Sequence, residues 1–112
     1  MAYRVLNWPL LLTGCAVVIG LFVLGAQPFA VGIVPAPYDK LAHALFFGFL
    51  FVVLNHSLRL PVALVIAIPL LVSLADELHQ LGLPGRQPGI GDWLAGLVGI
   101  LLAVLLFRRR LV

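Results

Sequence analysis

The chain has 112 residues, of which 63% are hydrophobic and 10% are charged, and its mean hydropathy is +1.20. Soluble domains average about 45–50% apolar and 25% charged residues, so this composition excludes a globular domain with a polar exterior. The net charge is +3, and the single cysteine, Cys15, excludes an intramolecular disulfide.

Four apolar segments, separated by proline, glycine or charged residues, predict four transmembrane helices. They cover about residues 8–24, 39–54, 60–81 and 92–107. We therefore predict an all-α, integral membrane four-helix bundle that forms a single domain over residues 1–112. The first segment follows Arg4 and resembles a signal peptide. Because the later segments are equally hydrophobic, we expect it to be an uncleaved anchor.

The basic residues predict the orientation of these helices. With four spans, both termini share one side with the connection near residue 59, and the five basic residues of this side are Arg4, Arg59, Arg108, Arg109 and Arg110. The other side has four acidic and two basic residues. Since cytoplasmic loops are enriched in Lys and Arg, we predict that both termini are cytoplasmic and that the final arginines contact anionic lipids.

Polar residues cluster where helices two and three meet the exoplasmic side. Asp39 starts the second helix, and His43 follows at i, i+4, so the carboxylate could orient the imidazole. In the third helix Asp76 and Gln80 share a face, and Glu77 lies beside them. Charges near hydrocarbon are costly unless paired or protonated. The clustering therefore favours a shared pocket, and the alternative is a set of interfacial caps and salt bridges.

The connection between helices three and four is rich in glycine and proline, which allows a sharp turn. Such a turn would aim Arg86 at the carboxylates, including Asp92 at the start of the fourth helix. Below Asp92, a stripe of small residues follows at Gly96, Gly99 and Ala103. The stripe favours close helix packing and offers a surface for a homo-oligomer.

A metal site is an alternative use of these side chains. Imidazole and carboxylate ligands are available from Asp39, His43, Asp76, Glu77, His79 and Asp92. The third helix lacks the two-histidine spacing of a zinc helix, and no thiolate is near. We therefore predict no metal and no other cofactor.

Three short motifs occur in a fixed order. They are "DKLAH" at 39–43, "ELHQ" at 77–80 and "PGRQPGIGDW" at 84–93. Together they resemble the VanZ-like family of small bacterial membrane proteins, whose pattern runs D-K-x-x-H, E-x-x-Q and R-x5-D-x3-N. The resemblance covers about residues 38–102 and departs at Gly96, where the family has Asn.

This family takes its name from an accessory protein of glycopeptide resistance that lowers susceptibility to teicoplanin. The resemblance implies a multi-pass protein of the bacterial inner membrane with an exoplasmic polar pocket. Its ligand-binding residues would be Asp39, Lys40, His43, Asp76, Glu77, Gln80, Arg86 and Asp92. We expect membrane lipids and a lipid-linked cell-wall precursor or lipoglycopeptide as partners, and no nucleic acid. Lys40, Arg86 and free N–H groups at two helix starts would bind the anionic headgroup.

The alternative hypothesis is an intramembrane hydrolase or transferase that acts on a lipid or glycan. Glu77 or His43 would be the general base, and Arg86 would stabilise developing negative charge. We favour binding over catalysis. A transporter is disfavoured because all the acidic residues lie near one face of the membrane.

Overall fold

The computed structural model of the chain describes residues 3–30, 32–35, 37–85 and 89–107. Its four helices are α1 (Trp8–Gly25), α2 (Tyr38–Ser57), α3 (Val62–Leu81) and α4 (Ile90–Phe107). Each is long and apolar enough to cross a membrane. Helices of 18 or 20 residues extend about 27–30 Å, close to the thickness of a hydrocarbon core. The predicted four-helix membrane fold is thus confirmed.

The helix boundaries agree with the sequence prediction to within a few residues, and the largest difference lies at the end of α2. This helix was expected to finish near residue 54 but continues through Ser57. Its polar end finds hydrogen-bond partners: Asn55 Nδ2 donates to Phe107 O of α4 at 2.8 Å, and the exposed His56 has its Nδ1 2.8 Å from Val52 O in the preceding turn of α2. The polar residues that suggested a loop are therefore accommodated in the last helical turn.

The central helix is α2, which contacts α1, α3 and α4. The buried apolar core lies along it and consists of Phe47, Leu50, Phe51, Leu54, Val65, Ile100 and Ala103. α1 is peripheral, and its buried residue is Gly14, which lies against Val53. The core therefore depends mainly on the packing of α2 with α3 and α4.

The closest approach of two helices is between α2 and α4, which run parallel. A Cβ atom added to Gly99 would overlap the backbone oxygen of Ala44, and one added to Gly48 would lie 2.9 Å from Gly99 O. Gly96 and Ala103 are also buried in this contact. The predicted close packing of the small-residue stripe is confirmed. Homo-oligomerisation through the same stripe stays a prediction, and it would require the α2–α4 contact to open.

One end of the bundle is closed by a pair of short strands, β1 (Arg4–Val5) and β2 (Leu58–Arg59), which are antiparallel. Next to them, the backbone N–H of Leu6 donates to Ser57 O at 2.7 Å. The start of α1, the α2–α3 connection and the end of α4 thus share one end of the molecule. This arrangement groups the same segments that the sequence places on one side of the membrane, and the cytoplasmic orientation stays a prediction.

The outer surface of the helices is apolar, as a lipid-facing surface must be. Large exposed side chains lie along all four helices and include Leu12, Ile19, Val23, Leu45, Phe49, Leu71, Leu78, Val98, Leu101 and Leu105. The polar side chains of the helices are instead concentrated at their ends. Lipid therefore covers the sides of the bundle and leaves its ends to water and headgroups.

The close α2–α4 contact predicts that two Gly→Ala substitutions have very different effects on the free energy of unfolding. Gly99→Ala should lower the free energy of unfolding by about 1–3 kcal/mol, because the methyl group overpacks the contact. Gly20→Ala is the matched control, since a Cβ there meets nothing within 4 Å. It should change stability by less than about 1 kcal/mol, in the stabilising direction. Denaturant unfolding of the detergent-solubilised protein measures both, and equal losses would contradict the close packing.

Candidate functional site

The polar residues meet at the end of the bundle where α2 and α4 begin and α3 ends. Asp39 lies in the first turn of α2 and Asp92 in the first turn of α4. Because α3 runs antiparallel to both, Asp76 and Glu77 in its last two turns reach the same level. All four acidic residues of the sequence therefore lie at this end, opposite the strand pair with its two arginines.

Lys40 joins the starts of α2 and α4. Its Nζ lies 2.6 Å from Asp92 Oδ1 and 3.3 Å from Asp39 Oδ2. The stem of Lys40 crosses Gly91, where an added Cβ would lie 3.2 Å from Lys40 Cε. Asp92 is only 7% exposed, so this charge-assisted hydrogen bond supplies positive charge to a carboxylate that water barely reaches.

His43 lies one turn deeper than Asp39 and faces α3. Its Nδ1 lies 2.7 Å from the backbone oxygen of Asp39, and its Nε2 lies 3.7 Å from both Asp76 Oδ2 and Glu77 Oε1. The prediction that the Asp39 carboxylate orients this ring is wrong. The carboxylate turns toward Lys40, and the peptide carbonyl holds the imidazole because the i, i+4 spacing brings Nδ1 to it.

The two carboxylates opposite His43 are buried and are held by short-range hydrogen bonds. Gln80 Nε2 donates to Asp76 Oδ2 at 3.2 Å, and the backbone N–H of Gly89 donates to Glu77 Oε2 at 3.2 Å. Asp76 is 3% exposed and Glu77 is 8% exposed. Glu77 Oε1 is also buried and accepts no hydrogen bond from the described residues. Asp39 Oδ1 is a second carboxylate oxygen of the site without a donor among these residues.

A cavity of about 630 Å³ opens beside these side chains. Its polar wall contains six of the eight predicted ligand-binding residues, namely Asp39, Lys40, His43, Asp76, Gln80 and Asp92. Glu77 lies behind this wall. Arg86 falls outside the described residues, so its predicted place in the site stays a prediction.

The opposite wall of the cavity comes from the end of α1 and from the connection to α2, which the sequence analysis did not include in the site. Apolar or small residues form it: Leu21, Gly25, Ala30, Gly32, Ile33, Val34 and Pro35. Gly32 turns this segment with a φ of 71°. His79 also lines the cavity and stacks edge-on against Phe22, with ring centroids 5.4 Å apart. The glycine and prolines around this connection were the available signal for a fold-back.

The predicted free N–H groups at the helix starts are mostly occupied. In α2, Asp39 N donates to Pro35 O at 3.2 Å and Lys40 N donates to Pro37 O at 3.1 Å. In α4, Asp92 N donates to Gly89 O at 3.1 Å. Since turn carbonyls already take these donors, the backbone contributes less to anion binding than the sequence suggested, and the side chains contribute more.

A second, apolar cavity of about 470 Å³ lies in the outer groove between α3 and α4. It is lined by Leu74, Glu77, Leu78, Leu81, Gly89, Ile90 and Trp93. The buried indole Nε1 of Trp93 has no acceptor among the described residues. Asp76 and Glu77 are consecutive in the sequence but face different cavities: Asp76 lines the polar cavity, and Glu77 lines the apolar groove.

Gly96 lies at the floor of the site and is buried. A Cβ atom at this position would lie 3.0 Å from Ser73 Oγ and 3.1 Å from Phe47 Cδ2. The space that a longer side chain would use is therefore filled by the Phe47 ring. This packing explains how the chain tolerates glycine at the position where the sequence motif has asparagine.

The fold and the cluster together define a small multi-pass membrane protein with a polar cavity at one end of its helices. The family model described as VanZ/LLP1 matches residues 7–111, nearly the whole chain. The chain therefore belongs to the VanZ-like family, as its motifs indicated. No curated protein and no solved structure gives a significant match to it.

The unequal burial of the two carboxylates that bind Lys40 predicts unequal effects of neutralising them. Asp92→Asn should lower the melting temperature more than Asp39→Asn, because Asp92 is the more buried partner and has the shorter bond to Lys40. Asparagine keeps the shape of the side chain and removes its charge. Thermal unfolding of the two purified variants in the same detergent tests this, and a larger effect at Asp39 would contradict it.

Proposed function

We propose that this chain is a bacterial inner-membrane envelope protein whose end cavity binds the headgroup of a lipid-linked or cell-wall-related amphiphile. The observation that carries the proposal is the cavity of about 630 Å³, which has charged residues on one wall and apolar residues on the other. A headgroup and the first carbons of its tail need such a mixed lining. The location at the helix ends would let the tail stay in the bilayer.

The charges favour a headgroup that combines an anionic group with hydroxyl or amine groups. Lys40 Nζ has three donors, of which two bind Asp39 and Asp92. The third donor is available to a phosphate or carboxylate, and we propose that Arg86, outside the described residues, binds the same anionic group. Asp39 lines the cavity, and its Oδ1 accepts no hydrogen bond from the described residues, so it can accept one from a hydroxyl or amine group. Lipid-linked sugars carry both kinds of group.

The distribution of basic residues and the family membership support the proposed orientation and biological role. With the termini in the cytoplasm, the cavity opens on the exoplasmic side, where cell-wall precursors and glycopeptides are present. The VanZ-like family is linked to teicoplanin resistance, and a bound precursor or lipoglycopeptide would connect this cavity to that phenotype. The proposed assembly is one chain with its lipids, with a homo-oligomer through the small-residue stripe as a further possibility to test by native mass spectrometry.

Binding is tested with purified protein in phosphatidylcholine nanodiscs that contain a polyprenyl-diphosphate-linked sugar. Lys40→Gln and Arg86→Ala should each weaken binding about 10- to 100-fold, since a hydrogen bond to a charged group contributes about 1.5–3 kcal/mol. Native mass spectrometry measures the bound fraction. Phosphatidylglycerol in place of the probe separates a specific headgroup site from general attraction to anionic lipid.

The matched control for this experiment is Arg59→Gln, which removes a positive charge at the opposite end of the bundle. It should leave binding unchanged. Thermal unfolding of each variant shows whether the fold is kept. If Lys40→Gln and Arg86→Ala fold normally and bind as well as the original chain, the cavity is not the headgroup site.

Catalysis is a second candidate function, and a specific observation favours it. Glu77 Oε1 and His43 Nε2 lie 3.7 Å apart in a buried cluster beside the cavity. An acceptor without a hydrogen bond is available to take a proton, as the general base of a hydrolase or transferase must. Arg86 and Lys40 would stabilise the developing charge on a lipid phosphate.

The catalytic candidate predicts release of phosphate or sugar from the lipid-linked probe. Glu77→Gln should abolish this turnover while the headgroup still binds, because the amide keeps the shape and loses the base. His79→Gln is the control, since His79 lines the cavity outside the carboxylate cluster. Turnover that persists in Glu77→Gln would eliminate Glu77 as the base, and no turnover by the original chain would leave binding as the function.

A further inference from the structure

The imidazole of His43 is held with one nitrogen directed at two carboxylates. A peptide carbonyl can only accept, so His43 Nδ1 is the donor in its 2.7 Å hydrogen bond to Asp39 O. In the neutral ring, Nε2 then carries a lone pair. That lone pair points toward Asp76 and Glu77. Metal-binding histidines are commonly fixed in this way, with the second ring nitrogen bound to a backbone carbonyl.

The distances from Nε2 to the carboxylates do not correspond to hydrogen bonds. Both separations are 3.7 Å, whereas an N–H···O hydrogen bond spans about 2.7–3.2 Å. Two ligands of one Zn²⁺, each about 2.0–2.2 Å from the ion, lie roughly 3.3–3.6 Å apart in tetrahedral geometry. The two distances from His43 Nε2 are therefore close to the spacing of ligands around one ion, and the three ligand atoms all lie within 4.8 Å of one another.

Among the described residues, His43 is the group that can bring positive charge to Asp76 and Glu77, and only when protonated, which gives one charge for two carboxylates. Asp76 and Glu77 are almost fully buried, and Glu77 Oε1 has no hydrogen-bond donor among those residues. Lys40 is committed to Asp39 and Asp92. Two adjacent buried carboxylates that share at most one positive charge are strongly unfavourable. Both are nevertheless fixed by hydrogen bonds, from Gln80 to Asp76 Oδ2 and from Gly89 to the second oxygen of Glu77, Oε2, as ligands of a metal ion commonly are.

We propose that His43, Asp76 and Glu77 form a binding site for one divalent first-row metal ion such as Zn²⁺. Their ligand atoms lie within 4.8 Å of one another. One imidazole and two carboxylates favour Zn²⁺, Mn²⁺ or Fe²⁺ over Mg²⁺ and Ca²⁺, which prefer oxygen ligands alone. Cys15 lies on α1 and is exposed, so a thiolate site is not formed here.

Three protein ligands leave a coordination position open, as in catalytic rather than structural zinc sites. His43 and Asp76 line the cavity, so the open position is accessible from it. The ion would add positive charge at the wall where the carboxylates outnumber the cations. The sequence alone argues against such a site because the ligands come from two helices and lack a two-histidine motif. Packing of α2 against α3 brings His43 next to Asp76 and Glu77.

The test uses the full chain in detergent, stripped with a chelator and titrated with Zn²⁺ in the absence of added lipid ligand. We expect one ion per chain by elemental mass spectrometry. His43→Ala and Glu77→Gln should weaken Zn²⁺ binding at least about 10-fold, the loss that follows even from disturbing groups around a metal ligand. Because the probe is the metal alone, the result is independent of whether a headgroup binds.

The matched controls are His79→Ala, which removes a histidine from the same cavity, and His56→Ala, which removes one from the opposite end of α2. Both should bind Zn²⁺ as tightly as the original chain. If either control variant loses as much Zn²⁺ affinity as His43→Ala does, the binding is adventitious and the proposal is overturned. The proposal is also overturned if the original chain binds no Zn²⁺. If a ligand variant does not fold, X-ray absorption of the Zn²⁺-loaded original chain decides. One nitrogen with oxygen neighbours supports the site, and oxygen alone contradicts it.

Discussion

The contact between α2 and α4 determines where the functional groups lie. Gly99 brings its helix so near to Ala44 that no side chain fits between the backbones, and Gly48 continues the contact one turn further along. Apolar side chains gain little by leaving lipid for a neighbouring helix, so close backbone packing is a main source of helix association in membranes. This contact fixes the register of two parallel helices. As a result, Lys40 meets Asp92 at one end and Asn55 meets Phe107 at the other.

Charge in this protein is separated between the two ends of the bundle. A charged residue at mid-membrane costs roughly 2.5–3.5 kcal/mol on insertion scales and less near the interface. The four acidic residues lie in terminal helical turns, where Lys40 and peptide donors offset part of that cost. His43 and the carboxylates of Asp76 and Glu77 are the deepest of these groups. Because these groups lie beside a cavity, a functional site explains the free-energy cost of burying them. Helix capping does not explain it.

Much of the fold was predictable because each helix has its own local signal. An apolar run bounded by glycine, proline or charge determines a span, and the largest error in a helix boundary was at the polar end of α2. The residues of the site were also predictable, since the motifs that resemble the VanZ-like family name most of them. The ion pairs between these residues were not predictable. Lys40 and Asp92, for example, are far apart in the sequence and meet only through the register of α2 and α4. The same limit applies to the α1–α2 connection, whose place in the cavity wall depends on a tertiary fold-back.

Helix packing places the His43 ring between Asp39 O and the two carboxylates of α3. Solid-state NMR of the protein in lipid bilayers, with ¹⁵N-labelled histidine and ¹³C-labelled aspartate and glutamate, measures this arrangement. We expect dipolar couplings from His43 Nε2 to the carboxyl carbons of both Asp76 and Glu77, and from Nδ1 to the carbonyl carbon of Asp39. A His43 ring whose Nε2 shows no coupling to either carboxyl carbon would contradict it.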